Sequence, residues 1–439
     1  MKNVTRIAVA VLFLALTVGC GSVRDLTSII TGYGAKNMAS NVFVSGREAE
    51  DIENLDLHFS FIKYNHYKLD YENKTVTSRF LWKKSTAVYR EGYGVTLLCG
   101  DMPEVESEKW KAETMVGSTQ VAALTPFPTQ LSPSLDPVVK ALFDDHTYGG
   151  HPFAFVVVHN GKVVAEHYDK GITPDTRLLS WSMAKSFTQA LVGIMVKDGL
   201  VDIYAPMNIP EWQGDGRRDI TLNDLLQMQS GLEWNEDYGS RSDVNIMLHR
   251  ETDMGLFALN KPLAYKPGTH YYYSSGSTNI VMRYLRSKFV SDSAFYAYLH
   301  TRLFGALGIR NAIFESDMSG TPIGSSYIYI TAREFARFGQ MYLDDGMVEG
   351  KRILPEGWVD YTRTPGSDSK GGYGSSFWLN RDKSLPDVPE DMYCARGHDG
   401  QRIFIIPSQN LVVVVLGYSP KKDGEIDWNP LLKAICSSL

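Results

Sequence analysis

The amino-acid sequence predicts an α+β fold in which helices pack on a sheet assembled from distant parts of the chain. Two predicted β-hairpins carry this prediction: one pairs residues 153–158 with 162–167 across an Asn-Gly dipeptide, and the other pairs 402–406 with 411–416. An Asn-Gly pair between two apolar segments is a strong signal for a tight hairpin turn. The apolar residues between the hairpins recur mostly at helical spacing, so helices are expected to cover the sheet.

The length and composition are those of an ordinary globular protein that buries a large core in one or two domains. The chain has 439 residues, of which 44% are hydrophobic and 21% charged, and its formal net charge is −6. This negative charge gives no electrostatic support for binding to nucleic acid. The sequence contains no P-loop motif, no His-Glu-x-x-His and no Gly-x-Ser-x-Gly, which disfavours nucleotide-binding, zinc-protease and nucleophile-elbow interpretations.

Residues 1–19 are predicted to be a signal peptide rather than part of the fold. Lys2 and Arg6 make the start basic, and residues 7–16 form an apolar run that is too short to span a bilayer. The run ends in Leu-Thr-Val-Gly-Cys20, which resembles the lipobox of bacterial lipoproteins. We therefore expect an acylated Cys20 that holds the protein on a membrane surface of the bacterial cell envelope, on the periplasmic side. A plain secretory signal with an incidental Cys20 is the alternative.

The predicted order along the chain is the signal peptide, an N-terminal region over 20–130 and a larger domain over 131–439. Small and polar residues predict a tether or irregular segment at 21–50, and a proline-rich run predicts a linker at 125–134. Alternating apolar residues in the N-terminal region predict strands at 55–61, 76–80 and 86–89. The helices predicted for the larger domain span 180–199, 222–228, 243–259, 279–289, 332–343 and 430–436.

The helix predicted at 180–199 carries a Ser-x-x-Lys pattern in its first turn, formed by Ser182 and Lys185. Residues three apart lie on one face of a helix, so the lysine amine can reach the serine hydroxyl. A serine becomes a nucleophile only beside a base, and a lysine becomes a base only when burial or neighbouring charges lower its pKa. Three other Ser-x-x-Lys copies lie in a predicted strand or in loops. The alternative for Ser182 and Lys185 is a helix-capping serine with a solvated lysine.

Two further segments supply groups that a Ser–Lys nucleophile needs. Tyr273 follows Pro-Gly-Thr-His-Tyr-Tyr, and a tyrosine whose pKa is lowered by a lysine can exchange a proton with the serine and the leaving group. Gly397-His-Asp-Gly-Gln401 precedes the last hairpin, and a backbone N–H there can complete an oxyanion hole with that of Ser182. The alternatives are an aromatic packing residue and an ordinary glycine turn.

Ser182-Met-Ala-Lys185, Tyr273-Ser-Ser275 and His398-Asp-Gly400 resemble, in this order, the three motifs of the serine β-lactamase-related hydrolases. The resemblance covers about 135–439 and is closest to the class C-like group, which includes family VIII esterases, D-amino acid peptidases and 6-aminohexanoate-dimer hydrolases. It implies a β-lactamase/transpeptidase-like fold, with an antiparallel sheet flanked by helices beside an all-helical lobe and the site between them. It also implies that Ser182 forms an acyl-enzyme, that Lys185 and Tyr273 share the acid–base work, and that the amides of Ser182 and Gln401 hold the oxyanion.

Two departures from the family pattern concern the substrate. Ser275 stands where the family usually has asparagine, and His398 stands where a lysine is common. Both changes argue against efficient penicillin hydrolysis and favour cleavage of esters or amides. The resemblance also makes Ser275, His398 and Gly400 candidate substrate contacts. Tyr238 is a candidate for the second, loop-borne tyrosine of the nylon-oligomer hydrolases, or else a loop aromatic, and Trp378 either lines the pocket or packs in the core.

The predicted function is therefore a serine hydrolase that acts on a small-molecule or short peptide-like substrate and needs neither a metal nor another cofactor. A non-catalytic envelope lipoprotein that binds peptidoglycan stems or a protein partner is one alternative. A DD-peptidase or β-lactamase is another. Cys99, Cys394 and Cys436 allow one disulfide, and the sequence does not determine which two would pair.

Overall fold

The structure is a computed structural model that describes residues 2–99, 124–420 and 424–439, with side chains from residue 23 onward. The strands are β1 (His66–Asp70), β2 (Thr75–Phe80), β3 (Lys83–Arg90), β4 (Gly94–Leu98), β5 (Pro152–His159), β6 (Lys162–Tyr168), β7 (Leu178–Leu179), β8 (Ile313–Phe314), β9 (Ile328–Ile330), β10 (Met347–Val348), β11 (Lys351–Arg352), β12 (Trp378–Leu379), β13 (Tyr393–Arg396), β14 (Arg402–Ile406) and β15 (Leu411–Gly417). The α-helices are α1 (Lys2–Phe43), α2 (Ala49–Asn54), α3 (Asp136–Phe143), α4 (Ala184–Lys197), α5 (Leu222–Leu226), α6 (Asp243–Arg250), α7 (Met254–Leu259), α8 (Ser275–Arg286), α9 (Asp292–Tyr298), α10 (Ala332–Leu343), α11 (Trp358–Thr362) and α12 (Trp428–Ser437).

A six-stranded antiparallel sheet in the order β12-β13-β14-β15-β5-β6 forms the centre of the larger domain. Both predicted hairpins are present, and the pairing of β15 with β5 joins them into one sheet. The turn between β5 and β6 places Asn160 at φ 50° and Gly161 at φ 72°. Two successive left-handed residues match the right-handed twist of the strands, which is why Asn-Gly is favoured there.

Helices cover both faces of this sheet, as the α+β prediction required. Alternate residues of β5 point to opposite faces, so Phe155 and Val157 join one buried cluster while Val156 and Val158 join the other. The first cluster includes Leu142 of α3 and residues of α12, and the second includes residues of α4 and α10. The sheet is thus a fixed platform, and α4 presents its first turn at one edge of it.

The N-terminal region is a folded unit built on a long helix. Helix α1 packs across the four-stranded antiparallel sheet β1–β4, and Ala35, Met38 and Ala39 are fully buried. The prediction of a tether or irregular segment at 21–50 is therefore wrong for most of its length. Because α1 is covered by β-strands and by other helices, its small residues serve close packing rather than flexibility.

The strand predicted at 55–61 is also absent, since this segment forms turns that lead into a short 3₁₀ helix, Ile62–Tyr64. Its apolar residues do alternate in sequence, but the backbone forms turns, and Leu57 is buried from within a turn. The strands predicted at 76–80 and 86–89 are confirmed within β2 and β3. Residues 100–123 of the predicted N-terminal region, and the side chain of Cys20, lie outside the described residues. The proposed boundary near 130 stays a prediction.

A buried ion pair ties the N-terminal region to the larger domain. Lys36 of α1 pairs with Glu315, which follows β8, and both side chains are almost completely inaccessible to solvent. The Lys36 amine also donates to the carbonyl of Val95, at 3.0 Å, and the Glu315 carboxylate accepts from the amide of Val95, at 2.8 Å, and from Ser40. Every charge in this cluster therefore has a partner, as a buried charge requires.

The helical lobe predicted from the middle of the chain consists of α5 to α9 and the turns between them. The single helix predicted at 243–259 is divided into α6 and α7, because Asp253 leaves the helical path and caps α7 through the amide of Leu256 at 2.8 Å. Cys99, Cys394 and Cys436 are free thiols. In the portions of the chain that are described, no helix is long and apolar enough to cross a membrane.

Candidate active site

Ser182 lies in a tight turn at the start of α4, next to the edge of the main sheet. The turn is a 3₁₀ helix, Trp181–Met183, and Trp181 has a left-handed φ of 42°. Such a conformation is unfavourable for a bulky residue and is kept only where the surroundings hold it. Gly397 presses on this turn, since a Cβ there would lie 2.4 Å from the carbonyl oxygen of Ser180. The segment after β13 thus meets the serine turn backbone to backbone.

Lys185 places its amine beside the Ser182 hydroxyl. Its Nζ lies 2.9 Å from Ser182 Oγ, 2.9 Å from Ser275 Oγ and 3.1 Å from the carbonyl oxygen of Ser325. The residue is 1% exposed, and this burial lowers its pKa from 10.5 to about 8, against a smaller opposing effect of Glu236. A substantial fraction of this amine is neutral near physiological pH, which is the condition for a lysine base.

Tyr273 also lies beside Lys185, and the lysine Nζ is 4.9 Å from the centre of the tyrosine ring. Burial, together with the charge of Glu236, raises the pKa of Tyr273, and a hydrogen bond with the Ser182 side chain lowers it by a smaller amount. The predicted lowering of the tyrosine pKa by lysine is therefore wrong. Because the phenol stays protonated, Tyr273 is placed to donate a proton rather than to accept one.

Ser275 occupies a different place from the one expected for a substrate contact. It is fully buried behind the reacting groups, where its hydroxyl receives the Lys185 hydrogen bond and donates to Glu236. Glu236 also accepts from the amide of Ser275 at 2.9 Å and from the indole of Trp234. These contacts form a chain from Ser182 through Lys185 and Ser275 to a carboxylate.

Glu236 is the site residue that the sequence analysis missed. It lies in the loop before α6, two residues before Tyr238, and 39 residues away from Ser275 in sequence. A carboxylate two positions from a candidate tyrosine was the available signal. Only the folded chain shows that this loop returns to the start of α8.

Tyr238, in the same loop, also reaches the site. Its hydroxyl donates to Glu236 at 3.2 Å and lies 3.5 Å from Ser275 Oγ, and its ring centre lies 5.1 Å from that of His398. Burial and the charge of Glu236 raise its pKa. Tyr238 is thus a second protonated phenol beside the Ser–Lys pair.

The segment 397–401 closes the remaining side of the site. The His398 ring is partly exposed between Trp181 and Tyr238, and its Nδ1 lies 2.6 Å from Oδ1 of the buried Asp399. Gly400 turns the chain with φ 89°, and the Gln401 amide points back to the carbonyl of His398 at a long 3.4 Å. That weak bond leaves the Gln401 amide open to a better acceptor.

Trp378, at the start of β12, lies beside Tyr273 with 5.3 Å between the ring centres, and the Arg396 guanidinium stacks on it at 5.1 Å. It is partly exposed, and it both borders the site and packs against the buried cluster that includes Phe155 and Val157. The structure therefore brings Ser182, Lys185, Tyr273, Tyr238 and Trp378 together. Their roles in a reaction remain predictions.

Comparison with known proteins agrees with this fold. A family profile described as Beta-lactamase matches residues 139–434. The chain belongs to the Beta-lactamase family. A 6-aminohexanoate-dimer hydrolase of Paenarthrobacter ureafaciens is 26% identical to this member over 309 residues, which are 64% of this chain and 76% of that protein.

Solved structures show the fold of this Beta-lactamase family member. A family VIII carboxylesterase has a TM-score of 0.53 at 17% identity and covers 70% of this chain and 98% of its own. A penicillin-binding protein homologue from Caulobacter crescentus has a TM-score of 0.55 at 14% identity and covers 71% and 99%. The predicted β-lactamase/transpeptidase-like fold is confirmed, and the protein is a serine hydrolase, so the alternative of a non-catalytic binding module is not supported.

Proposed function

We propose that this protein cleaves amide or ester bonds through an acyl-enzyme formed on Ser182, with Lys185 as the general base and Tyr273 as the general acid. One observation carries the proposal: a buried lysine amine, with its pKa lowered to about 8, lies 2.9 Å from the hydroxyl of a serine at the start of a helix. Burial of a lysine is costly, and a role as base explains why the site keeps it.

Acylation begins when Lys185 takes the Ser182 proton and the serine oxygen attacks the carbonyl carbon. The carbonyl oxygen becomes negative, and the amides of Ser182 and Gln401 would donate to it. The bond to the leaving group then breaks as the Tyr273 hydroxyl gives its proton to the departing nitrogen or oxygen. Lys185, now an ammonium, returns a proton to Tyr273, so the base is restored for the second step.

Deacylation repeats these steps with water in place of serine. Lys185 takes a proton from water, the hydroxide attacks the acyl carbon, and the Ser182 oxygen leaves with a proton from Tyr273 or Lys185. Ser275 and Glu236 remain behind the amine and keep its orientation through the hydrogen-bond chain.

The proposed substrates are short linear amides or esters that carry a carboxylate near the cleaved bond. The His398 ring is partly exposed, and its centre lies 5.1 Å from that of Tyr238, so an N–H of the imidazole can donate to a substrate carboxylate there. The relative named 6-aminohexanoate-dimer hydrolase supports a linear amide. Gly400 is proposed to allow the turn that presents His398, because a Cβ there would lie 2.9 Å from Cβ of Ser419, and Trp378 is proposed to border the acyl part of the substrate.

We expect an initial burst of p-nitrophenol when the enzyme reacts with excess p-nitrophenyl acetate, followed by slower steady turnover. The burst arises because acylation by an activated ester outruns hydrolysis of the acyl-enzyme. Stopped-flow absorbance measures its amplitude, which should approach one equivalent per Ser182. A steady-state rate with no burst, combined with no acylated protein after acid quenching, would contradict the acyl-enzyme.

The rate of this burst should rise with pH and level off above a midpoint near 8. The base has to be neutral, and burial lowers the pKa of Lys185 from 10.5 to about 8, so the neutral fraction grows through that range. In Glu236→Gln the midpoint should move to lower pH, because the negative charge of Glu236 opposes the effect of burial on Lys185. A midpoint that stays at or above 10 in wild-type protein would exclude Lys185 as the base.

We further propose that Cys20 is acylated and that the protein is a lipid-anchored protein of the cell envelope, on the periplasmic side of a membrane. The support is the lipobox-like sequence after a basic start and an apolar run. Helix α1 continues through Cys20 to Phe43, so the anchor would join directly to the folded N-terminal region.

Cells that express the full chain should incorporate an alkyne-labelled fatty acid into the protein, and Cys20→Ser should abolish this incorporation. Cys99→Ser is the matched control, because that thiol is buried in the folded region. Membrane fractions should lose the Cys20→Ser variant to the soluble fraction. Equal labelling of wild type and Cys20→Ser would contradict the anchor and leave the plain secretory signal.

A further inference from the structure

Helix α1 lies outside the part of the chain that the family profile matches, yet it packs against the element that supports the site loop. Its Gly32 contacts α6 so closely that a Cβ would lie 2.9 Å from the carbonyl oxygen of His249. The neighbouring Tyr33 ring lies 5.5 Å from the His249 ring and stacks on Trp181 at 6.3 Å. The N-terminal helix thus contacts both α6 and the serine turn.

One carboxylate of α1 binds both ends of α6. Asp25 is buried, and its Oδ2 accepts from Nε of Arg241 at 2.6 Å while its Oδ1 pairs with Arg250. Arg241 is the last loop residue before Ser242, which caps α6, and Arg250 is the final residue of that helix. Movement of either end of α6 would therefore break a charge-assisted hydrogen bond, which is stronger than a neutral one.

Helix α6 in turn holds the loop that enters the active site. Nδ2 of Asn245 lies 3.0 Å from the carbonyl oxygen of Tyr238 and 2.8 Å from that of Ser240. Asp243, in the first turn of the same helix, accepts from the amide of Asn235 at 2.9 Å. The loop over 233–242 thus has its two ends fixed on α6.

We propose that helix α1 is a positioning element of the active site. Through Asp25 it fixes α6 and the loop 233–242, and this loop determines the positions of Glu236 and Tyr238 beside Lys185. This inference rests on the proposed function, since it concerns the groups around Lys185. Asp25 touches none of the reacting atoms and is a positioning residue. Glu236 bears on reactivity because it holds Ser275, which accepts a hydrogen bond from the catalytic amine.

The test compares Asp25→Asn with Glu166→Gln in the full chain. The control removes a carboxylate of similar burial, since the side chains of Asp25 and Glu166 are each 11% exposed. Each has two side-chain partners: Asp25 pairs with Arg241 and Arg250, and Glu166 binds Arg333 and Tyr168. Glu166 and Arg333 join β6 to α10, away from the loop. Both variants keep the side-chain shape and lose one charge, so they should lose similar stability.

Amide hydrogen exchange measured by mass spectrometry reports whether α1 holds the loop 233–242 in place. This readout does not depend on enzymatic activity. We expect faster exchange over 233–250 in Asp25→Asn and wild-type exchange there in Glu166→Gln. Reaction with a fluorophosphonate then reports on the site: its plateau rate at high pH should fall about 2- to 30-fold in Asp25→Asn, the range of couplings carried between neighbouring elements. The pH midpoint should also move down, because a displaced Glu236 no longer raises the pKa of Lys185.

The proposal is overturned if the plateau rate and midpoint of Asp25→Asn match those of Glu166→Gln, even where exchange in the loop is faster. It is equally overturned if loop exchange is unchanged. Arg241→Gln should reproduce the effect of Asp25→Asn, and the double variant should be no worse than either single variant. A wild-type protein that does not react with the fluorophosphonate would refute the proposed function, while the exchange data would still decide whether α1 fixes the loop.

Discussion

Ser182→Ala should abolish hydrolysis of an activated ester, with a fall in kcat of about 10⁴-fold or more, the size seen when a nucleophile–base unit loses a member. Lys185→Met should have an effect of similar size, because the methionine side chain keeps the apolar stem and removes the base that lies 2.9 Å from Ser182 Oγ. The double variant should be no slower than either single variant, since the two residues act in the same step. Steady-state kinetics with p-nitrophenyl acetate measures all three.

Ser186→Ala is the matched control for these variants. Ser186 lies on the same helix, is buried and donates to the carbonyl of Ser376 at 2.7 Å, outside the chain of contacts around Lys185. Its loss should cost stability of about 1–3 kcal/mol and leave kcat near the wild-type value. Wild-type turnover in Ser182→Ala, or an equal loss in Ser186→Ala, would contradict the assigned nucleophile.

Lys36→Met should lower the free energy of unfolding by about 3–5 kcal/mol, because it leaves Glu315 as a buried carboxylate without its counter-charge. Glu315 keeps the Ser40 hydroxyl and the Val95 amide, but neither neutralises the charge. Urea unfolding with linear extrapolation gives the free-energy change.

The double variant Lys36→Met/Glu315→Leu separates the electrostatic contribution of the ion pair from the packing contribution of the two side chains. An apolar pair of similar volume removes both desolvation costs, so the double variant should recover most of the loss, as replacements of buried ion pairs often do. If Lys36→Met costs less than about 1 kcal/mol, the range of an exposed ion pair, the cluster does not join the two parts of the chain as described.

The fold of the larger domain was predictable because its signals are local. The Asn-Gly turn at 160–161 and the apolar runs of β5 and β15 specify hairpins within a few residues. Helix α1 was missed for the opposite reason: its small and polar residues, such as Gly32 and Ser40, pack against other elements of the fold, and no local pattern records those contacts. The turns at 55–61 show that alternating apolar and polar residues are compatible with a strand but are not sufficient to predict one.

The site residues were predictable where a local motif places them together. They were not predictable where long-range contacts or burial determine the position or the pKa of a side chain. Ser182 and Lys185 are three residues apart on one helix, so their contact follows from sequence spacing. The contact of Glu236 with Ser275 joins two distant segments, and the pKa of Tyr273 depends on burial that no motif encodes. For this reason the sequence left the acid–base work shared between Lys185 and Tyr273, whereas the lowered pKa of Lys185 and the raised pKa of Tyr273 favour the proposal of a lysine base and a tyrosine acid.

The most direct measurement is peptide mapping by mass spectrometry after the folded protein has reacted with a fluorophosphonate at pH 9 and at pH 6. We expect one adduct per chain, located on Ser182, which forms much faster at pH 9 because burial lowers the pKa of Lys185 to about 8. Lys185→Met should form none at either pH. An adduct on another residue, or a folded wild-type protein that stays unmodified at pH 9, would contradict the claim that Lys185 activates Ser182.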